Sequence, residues 1–202
     1  SRYLLGDRKL FDELVARYRA ALPFTLTAAQ EDAIDEIDGD LALAVPMQRL
    51  LQGDVGSGKT AVALYALLRA VESGRQGALM APTETLAEQH FVTFSERFAA
   101  FPVKVAALSR FQSDKEAKAV IAGIAEGSID VVIGTHRLFS TEVRFKDLGL
   151  VIVDEEQRFG VEHKEHLKAM RMNVDFLTMS ATPIPRTLEM AVTGIREMST
   201  IQ

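Results

Sequence analysis

The chain has 202 residues, of which 48% are apolar and 25% charged, and its formal net charge is −5. This balance argues against a protein that binds nucleic acid through general positive charge, although it is compatible with a local phosphate-contacting face. The absence of cysteine excludes a disulfide framework, a thiolate metal site and a cysteine nucleophile. No apolar run reaches the ~20 residues of a membrane span and no charged-then-apolar leader is visible, so we expect a soluble cytoplasmic protein without membrane contact.

Two helices are predicted before the first strand. Residues 7–21 carry apolar side chains at helical spacing, and Pro23 ends this segment because the residue before a proline avoids the helical conformation. Thr27 begins the second helix. Thr27 followed by Gln30 fits a capping box, in which each side chain accepts a hydrogen bond from the other residue's backbone.

From Met47 onward, apolar runs and helical segments alternate. The runs typical of strands buried on both faces are residues 49–52, 78–81, 103–108, 130–133, 150–153 and 176–179. The helical segments between most of them are residues 61–71, 85–98, 115–125 and 164–170. This alternation predicts an α/β domain with a doubly wound, mainly parallel sheet, in which ligands bind beyond the carboxyl ends of the strands.

A phosphate-binding loop is predicted directly after the first strand. The pattern G-x-x-x-x-G-K-[ST] between a strand and a helix is matched by Gly53, Asp54, Val55, Gly56, Ser57, Gly58, Lys59 and Thr60. The glycines allow backbone N–H groups to point at phosphate oxygens near the helix N-terminus. We expect Lys59 to reach the β and γ phosphates of ATP and Thr60 to bind Mg²⁺. The alternative is a glycine-rich turn with a chance lysine, which the strand and helix on either side disfavour.

An acidic motif follows the fifth strand, at Asp154, Glu155, Glu156 and Gln157. We expect Asp154 to hold the Mg²⁺ shell, usually through water, because Mg²⁺ keeps several of its waters. Glu155 is predicted to be the general base that polarises the attacking water. A helix N-terminus enriched in acids would explain one carboxylate but not its pairing with the phosphate-binding loop.

Together with that loop, the pattern Asp-Glu-x-Gln resembles superfamily 2 helicases and translocases, which implies a RecA-like P-loop NTPase fold. Phe24 and Gln30 are similar to the adenine-recognising Q motif of these proteins, and the capping role of Gln30 is compatible with adenine recognition. The resemblance implies that Gln157 senses the γ-phosphate across an interlobe cleft. It also implies that Ser180 and Thr182, in a Ser-Ala-Thr segment after the sixth strand, couple the nucleotide site to DNA.

The same resemblance implies contacts with the phosphates of one DNA strand. Thr83 and Thr135, which follow the second and fourth strands, would donate from hydroxyl or backbone groups, with Arg110 and His136 nearby. Phosphate contacts position a protein without reading sequence, as movement along arbitrary DNA requires. Each residue alone has an ordinary alternative, because a threonine after a strand often caps a helix and the two basic residues fit a solvated surface.

The motifs are similar to those of two bacterial repair translocase families, RecG and the transcription-repair coupling factors. The shared segments are residues 53–60, 81–84, 86–90 and 182–187. The chain resembles RecG, which remodels stalled forks, from about residue 22 to 90. From about residue 94 it resembles the coupling factors, which push stalled RNA polymerase, notably at 108–111, 134–138, 145–150 and 154–161. An intermediate natural paralogue and an engineered mosaic joined at 90–94 both account for this pattern.

The resemblance also predicts a domain organisation. Residues 1–22 would be a helical lead-in and residues 23–202 the first of two RecA-like lobes, with the second lobe outside this chain. That second lobe supplies an arginine finger worth on the order of 10³–10⁵ in rate, so we expect this lobe to bind ATP with Mg²⁺ weakly and to hydrolyse it poorly. The parent activity would be ATP-driven movement on double-stranded or forked DNA. The alternatives are a motor that displaces RNA polymerase, another P-loop NTPase such as a metabolic kinase, and a non-catalytic nucleotide-binding module, which the intact motifs disfavour.

Overall fold

A computed structural model describes residues 8–22, 25–56, 58–182 and 197–202, with side chains described from residue 12 onward. Phe24 and Ser57 therefore lie outside the described residues. Of the predicted motif at residues 182–187, only Thr182 is described. The described residues form α1 (Arg8–Ala21), α2 (Ala28–Leu41), β1 (Gln48–Gly53), α3 (Lys59–Glu72), β2 (Gln76–Met80), α4 (Glu84–Phe98), β3 (Val105–Leu108), α5 (Asp114–Glu126), β4 (Val131–Gly134), β5 (Leu148–Asp154), α6 (Val161–Met170), β6 (Asp175–Ser180) and β7 (Glu197–Ile201). Short 3₁₀ turns follow β4 at His136–Phe139 and β5 at Glu156–Arg158.

The strands form one sheet in the order β3-β4-β2-β5-β6-β1-β7, and all neighbouring strands are parallel. The predicted α/β fold with a doubly wound parallel sheet is confirmed. Parallel pairing places the carboxyl ends of all strands along one edge of the sheet, where the predicted motifs follow. The strand β7 was not predicted, because it lies at the sheet edge and mixes exposed with buried residues instead of forming a continuous apolar run.

The two faces of the sheet bury separate apolar clusters. In β5, Leu150 and Ile152 belong to the cluster under α1–α4, whereas Val151 and Val153 belong to the cluster under α5 and α6. Successive side chains of a strand point to opposite faces, so a strand covered on both sides must be apolar at every position. The helix α3 is central, and most of its residues after Thr60 are buried.

The helix α1 packs on the same core, with Leu14 and Tyr18 buried and the Tyr18 hydroxyl donating to the carbonyl of Ala61 in α3. Capping boxes begin α2, through Thr27 and Gln30, and α5, at Ser113. None of the helices in the described part of the chain is long and apolar enough to cross a membrane.

Candidate nucleotide site and the adjoining cleft

Two cavities lie side by side along the carboxyl edge of the sheet. The first, which we call the nucleotide cavity, has a volume of about 540 Å³ and lies at the ends of β1, β5 and β6. The second, which we call the cleft, has a volume of about 750 Å³ and lies at the ends of β2 and β4, beside the residues that follow β3. Asp154 and Glu155 of the acidic motif line the first cavity together with loop residues Val55, Gly56, Gly58, Lys59 and Thr60. The four predicted DNA-contacting residues line the second.

The predicted phosphate-binding loop connects the buried strand β1 to α3. Gly56 and Gly58 have φ values of +83° and +88°, which side chains other than glycine rarely adopt. A Cβ atom on Gly58 would lie 1.9 Å from Nε2 of Gln30. Lys59 reaches back into the loop, where its Nζ donates to the carbonyl oxygens of Gly53 and Asp54. Two carbonyl groups at the start of the loop thus hold the lysine ammonium within the segment that is predicted to bind phosphate.

The charge of Lys59 is opposed by burial and supported by its neighbours. Burial lowers the pKa of Lys59 below its ordinary value, while the carboxylates of Asp154, Glu155 and Asp54 raise it and partly offset that effect. The predicted cation and the predicted carboxylates therefore act on one another across the nucleotide cavity.

The donor set around this cavity suits Mg²⁺. Thr60, Asp154 and Glu155 line the cavity together with Lys59, so a hydroxyl and two carboxylates converge on it. Magnesium prefers such hard oxygen donors, and with nucleotide it uses one or two carboxylates plus phosphates instead of an all-protein cage. Within the described residues, no group of three or more His, Cys, Asp or Glu side chains forms such a cage.

Glu155 occupies an unusual backbone conformation directly after β5. Its φ of 51° makes it the one residue other than glycine with positive φ in the described part of the chain. Its N–H donates to the carbonyl of Met179 at 2.9 Å, and its carboxylate accepts from the N–H of Ala181 at 3.2 Å. Gln157 donates to the same carboxylate and to the Thr182 hydroxyl at 3.4 Å. The acidic motif and the Ser-Ala-Thr segment are therefore in direct contact.

The Ser-Ala-Thr segment is itself held by two further bonds. The buried Ser180 accepts from the N–H of Thr182 at 3.1 Å through its hydroxyl. Gln52, at the end of β1, donates to the carbonyl of Thr182 at 2.7 Å. Residues predicted to couple the site to DNA thus touch both the first strand and the acidic motif.

The third residue of the acidic motif forms a buried ion pair that the sequence did not indicate. Glu156 is 4% exposed and pairs with Arg171, which is 3% exposed. The Thr178 hydroxyl donates to the same carboxylate at 3.2 Å, and the Arg171 guanidinium lies 4.6 Å from the centroid of the Phe176 ring. This network ties the turn after β5 to β6.

Two other side chains hold parts of the nucleotide cavity in place. Gln30 accepts from the N–H of Thr27 at 2.8 Å and donates from Nε2 to the carbonyl of Gly58 at 3.3 Å. The capping role of Gln30 is present, and its reading of adenine stays a prediction. His90 of α4 lies against Asp154, with 2.7 Å between Nε2 and Oδ2.

The structure brings the four predicted DNA-contacting residues, Thr83, Arg110, Thr135 and His136, into one cleft. Arg110 and His136 are exposed, whereas Thr135 is 4% exposed at the cleft floor. The Thr83 hydroxyl caps α4 by accepting from the N–H of Leu86 at 3.2 Å, as the ordinary alternative for this residue also predicts.

Stacked rings form one wall of the cleft. His136 stacks on His163 with ring centroids 4.4 Å apart, and Phe139 stacks on His166 at 4.7 Å. Phe159, after the acidic motif, meets His163 edge to face. The sequence offered one signal for these stacks, the spacing of three residues between His163 and His166 on a helix.

Solved and curated relatives match nearly the whole chain. A structure of RecG bound to a three-way DNA junction has a TM-score of 0.81 and 44% identity, covering 98% of this chain and 26% of that one. The transcription-repair-coupling factor of Mycobacterium bovis is 59% identical over 186 residues, or 92% of this chain and 15% of that protein. The coupling factor of Escherichia coli K12 is 52% identical over 181 residues, covering 90% of this chain and 16% of that protein.

This chain therefore spans about a sixth of the length of the curated relatives it matches. A match of 186 residues to one coupling factor must cross residues 90–94, so one natural sequence accounts for both halves and a mosaic is not required. The family model described as DEAD/DEAH box helicase matches residues 27–191, which confirms the RecA-like helicase fold and argues against a metabolic kinase. The chain belongs to the DEAD/DEAH box helicase family.

Proposed function

We propose that this chain is the ATP-binding lobe of an ATP-dependent translocase on double-stranded or forked DNA, acting in DNA repair or replication-fork rescue. The observation that carries this proposal is the convergence of Lys59, Thr60, Asp154 and Glu155 on one cavity. The RecG structure with 44% identity, which is bound to a DNA junction, supports the choice of DNA as partner.

In this proposal the loop of residues 53–60 and the acidic motif divide the work at ATP. Backbone N–H groups of the loop hold the phosphates, Lys59 reaches the β and γ phosphates, and Thr60 and Asp154 hold Mg²⁺. When bound, Mg²⁺ neutralises charge on the β and γ oxygens. Glu155 accepts a proton from the attacking water, and the bond from the N–H of Ala181 holds its carboxylate in place.

We place the first lobe at residues 23–202 and a lead-in at residues 1–22, with a second RecA-like lobe as the partner that completes the ATP site. Gln157 supports this arrangement, because it is exposed beside Glu155 and could face such a lobe. Without the arginine finger of that lobe, ATP bound here would turn over slowly.

In the cleft, Thr83, Arg110, Thr135 and His136 would contact phosphates of the DNA backbone. Ser180 and Thr182 would relay the nucleotide state, since their segment touches Glu155 and Gln157. These contacts need no general positive charge, which fits the net charge of −5.

Displacement of stalled RNA polymerase is the second candidate function. It is favoured by the 59% identity to a coupling factor of Mycobacterium bovis, and it would make RNA polymerase a partner of the full protein. A cytoplasmic location is part of both proposals.

The test compares Lys59→Ala with Lys104→Ala, which removes an exposed lysine before β3 and serves as the matched control. Binding of a fluorescent ATP analogue with Mg²⁺ and ATP turnover are followed with and without duplex or forked DNA. We expect Lys59→Ala alone to lose binding, and the unaltered chain to show little turnover with DNA. Equal binding by both variants would contradict the nucleotide site, and robust DNA-stimulated turnover would contradict the need for a second lobe.

A further inference from the structure

One histidine in a motif segment contacts the acidic motif but has no role in the function proposed above. Nε2 of His90 lies 2.7 Å from Oδ2 of Asp154, and the two side chains are 17% and 13% exposed. A carboxylate only accepts hydrogen bonds, so Nε2 carries the proton and donates it. This bond occupies one carboxylate oxygen of Asp154 and leaves Oδ1 for another partner.

The ring of His90 is held in its orientation by the core. It meets Phe94, one turn further along α4, edge to face with centroids 6.0 Å apart and an interplanar angle of 87°. Phe94 is fully buried. The imidazole therefore moves with α4, and the Asp154 carboxylate is hydrogen-bonded to that helix.

The helix α4 borders both cavities. Leu86 and Thr93 line the nucleotide cavity, whereas Thr83 and Glu84 at the helix N-terminus line the cleft. His90 is two helical turns from Thr83, about 10 Å along the axis. A displacement of the helix N-terminus by a ligand in the cleft would thus be carried by one rigid element to the residue that holds Asp154.

We propose that His90 is a positioning residue of the nucleotide site. It orients the Asp154 carboxylate toward Mg²⁺ and links that carboxylate, through α4, to the phosphate contact at Thr83. The inference rests on the proposed function, because it assigns Asp154 to Mg²⁺ and Thr83 to DNA. Hydrogen-bonded partners of ligating carboxylates are typically worth 10–100-fold in metal affinity or activity.

The test measures how the affinity of the 202-residue chain for a fluorescent ATP analogue depends on Mg²⁺ concentration. His90→Leu keeps an apolar contact with Phe94 but removes the donor, and His90→Gln keeps an N–H donor at a matching distance along the side chain. We expect His90→Leu to need about tenfold more Mg²⁺ for half-maximal binding, with unchanged affinity when EDTA removes the metal. We expect His90→Gln to restore most of the response to Mg²⁺.

A Mg²⁺ response that is the same in His90→Leu and the unaltered chain would overturn the positioning role. Lys59→Ala separates this failure from failure of the proposed function, because it should lose analogue binding with or without Mg²⁺. In a second set of measurements, saturating duplex DNA should shift the Mg²⁺ response of the unaltered chain and of His90→Gln but not that of His90→Leu. An equal shift in all three, or no shift in the unaltered chain, would overturn the link through α4.

Discussion

The two cavities on the carboxyl edge differ in how their side chains are held. At the nucleotide cavity, Gln30 donates a hydrogen bond to the loop at 3.3 Å. His90 contacts Asp154 of the acidic motif at 2.7 Å, and Arg171 pairs with Glu156 of the same motif. At the cleft, His136 is held by ring stacking, Arg110 is exposed, and the Thr83 hydroxyl bonds within its own helix α4. Directional hydrogen bonds fix atoms for one ligand geometry, whereas stacked or exposed groups adapt to phosphates in varied positions. The difference supports the proposal of a single small ligand on one side and DNA of any sequence on the other.

Breaking the buried ion pair between Arg171 and Glu156, on the nucleotide side, should have the largest effect, which is on the free energy of unfolding. Arg171→Met leaves the Glu156 carboxylate buried without its cation, and breaking such a pair costs about 3–5 kcal/mol of unfolding free energy. The matched change on the cleft side is Arg137→Met, which removes a half-exposed pair with Glu142 and a hydrogen bond to the Ser109 carbonyl, both at 3.4 Å. It should cost only about 1 kcal/mol. Urea unfolding of both variants measures the contrast.

A double variant tests the cause. Arg171→Met with Glu156→Leu replaces both charges by apolar groups, which is often close to neutral in a buried pair. It should therefore recover most of the stability lost in Arg171→Met. If the double variant stays as unstable as the single one, the loss comes from packing around Arg171 or from the Thr178 hydroxyl, which loses its acceptor in Glu156→Leu, and not from an unpaired carboxylate.

The loop glycine should give the next largest effect, on affinity. Gly58→Ala places a Cβ atom 1.9 Å from the Gln30 amide at a φ of +88°, and strain of this kind costs about 1–3 kcal/mol. We expect the affinity for a fluorescent ATP analogue to fall about tenfold or more, because the loop must leave its present conformation.

Gly39→Ala is the control for this substitution. Gly39 lies inside α2, and a Cβ atom added there would meet no neighbouring atom within 4 Å. Alanine should therefore stabilise the helix by about 0.5–1 kcal/mol and leave analogue affinity unchanged. Equal affinities in the two variants would show that the loop adapts, and the contrast between a rigid nucleotide cavity and an adaptable cleft would be lost.

Features formed by residues that are close together in the sequence could be predicted, whereas contacts between residues far apart in the sequence could not. The loop at residues 53–60 is contiguous, and the buried strands appear as apolar runs, so both were identified. By contrast, β7 lacks such a run, and its burial depends on pairing with β1. The bond between His90 and Asp154 joins residues 64 positions apart, and Arg171 lies 15 positions from Glu156. No spacing rule links such pairs, because only the sheet order brings them together.

On the cleft side, a single exposed cation should have a modest effect. Arg110→Ala should weaken binding to duplex DNA several-fold regardless of sequence, and should reduce the slope of log affinity against log salt by about 0.9 if Arg110 neutralises one phosphate. Affinity for the ATP analogue should not change. Fluorescence anisotropy at several salt concentrations measures both the affinity and the slope.

Arg144→Ala provides the comparison, since Arg144 is exposed and is not among the residues that line the cleft. It should leave the salt dependence nearly unchanged. Equal slopes in the two variants would mean that Arg110 contributes only to the general charge of the protein.

The smallest effect is expected from a comparison of two capping boxes, one on the nucleotide side and one on the cleft side. Thr27→Ala in α2 and Ser113→Ala in α5 each remove an N-cap side chain, at a cost of about 1 kcal/mol of unfolding free energy. They should differ in ligand affinity, because Thr27 helps to place Gln30, whose amide holds the carbonyl of Gly58. We expect a small decrease in ATP-analogue affinity for Thr27→Ala and none for Ser113→Ala. If both variants lose affinity equally, general destabilisation explains the loss, and the nucleotide cavity does not depend on the hydrogen bonds that distinguish it from the cleft.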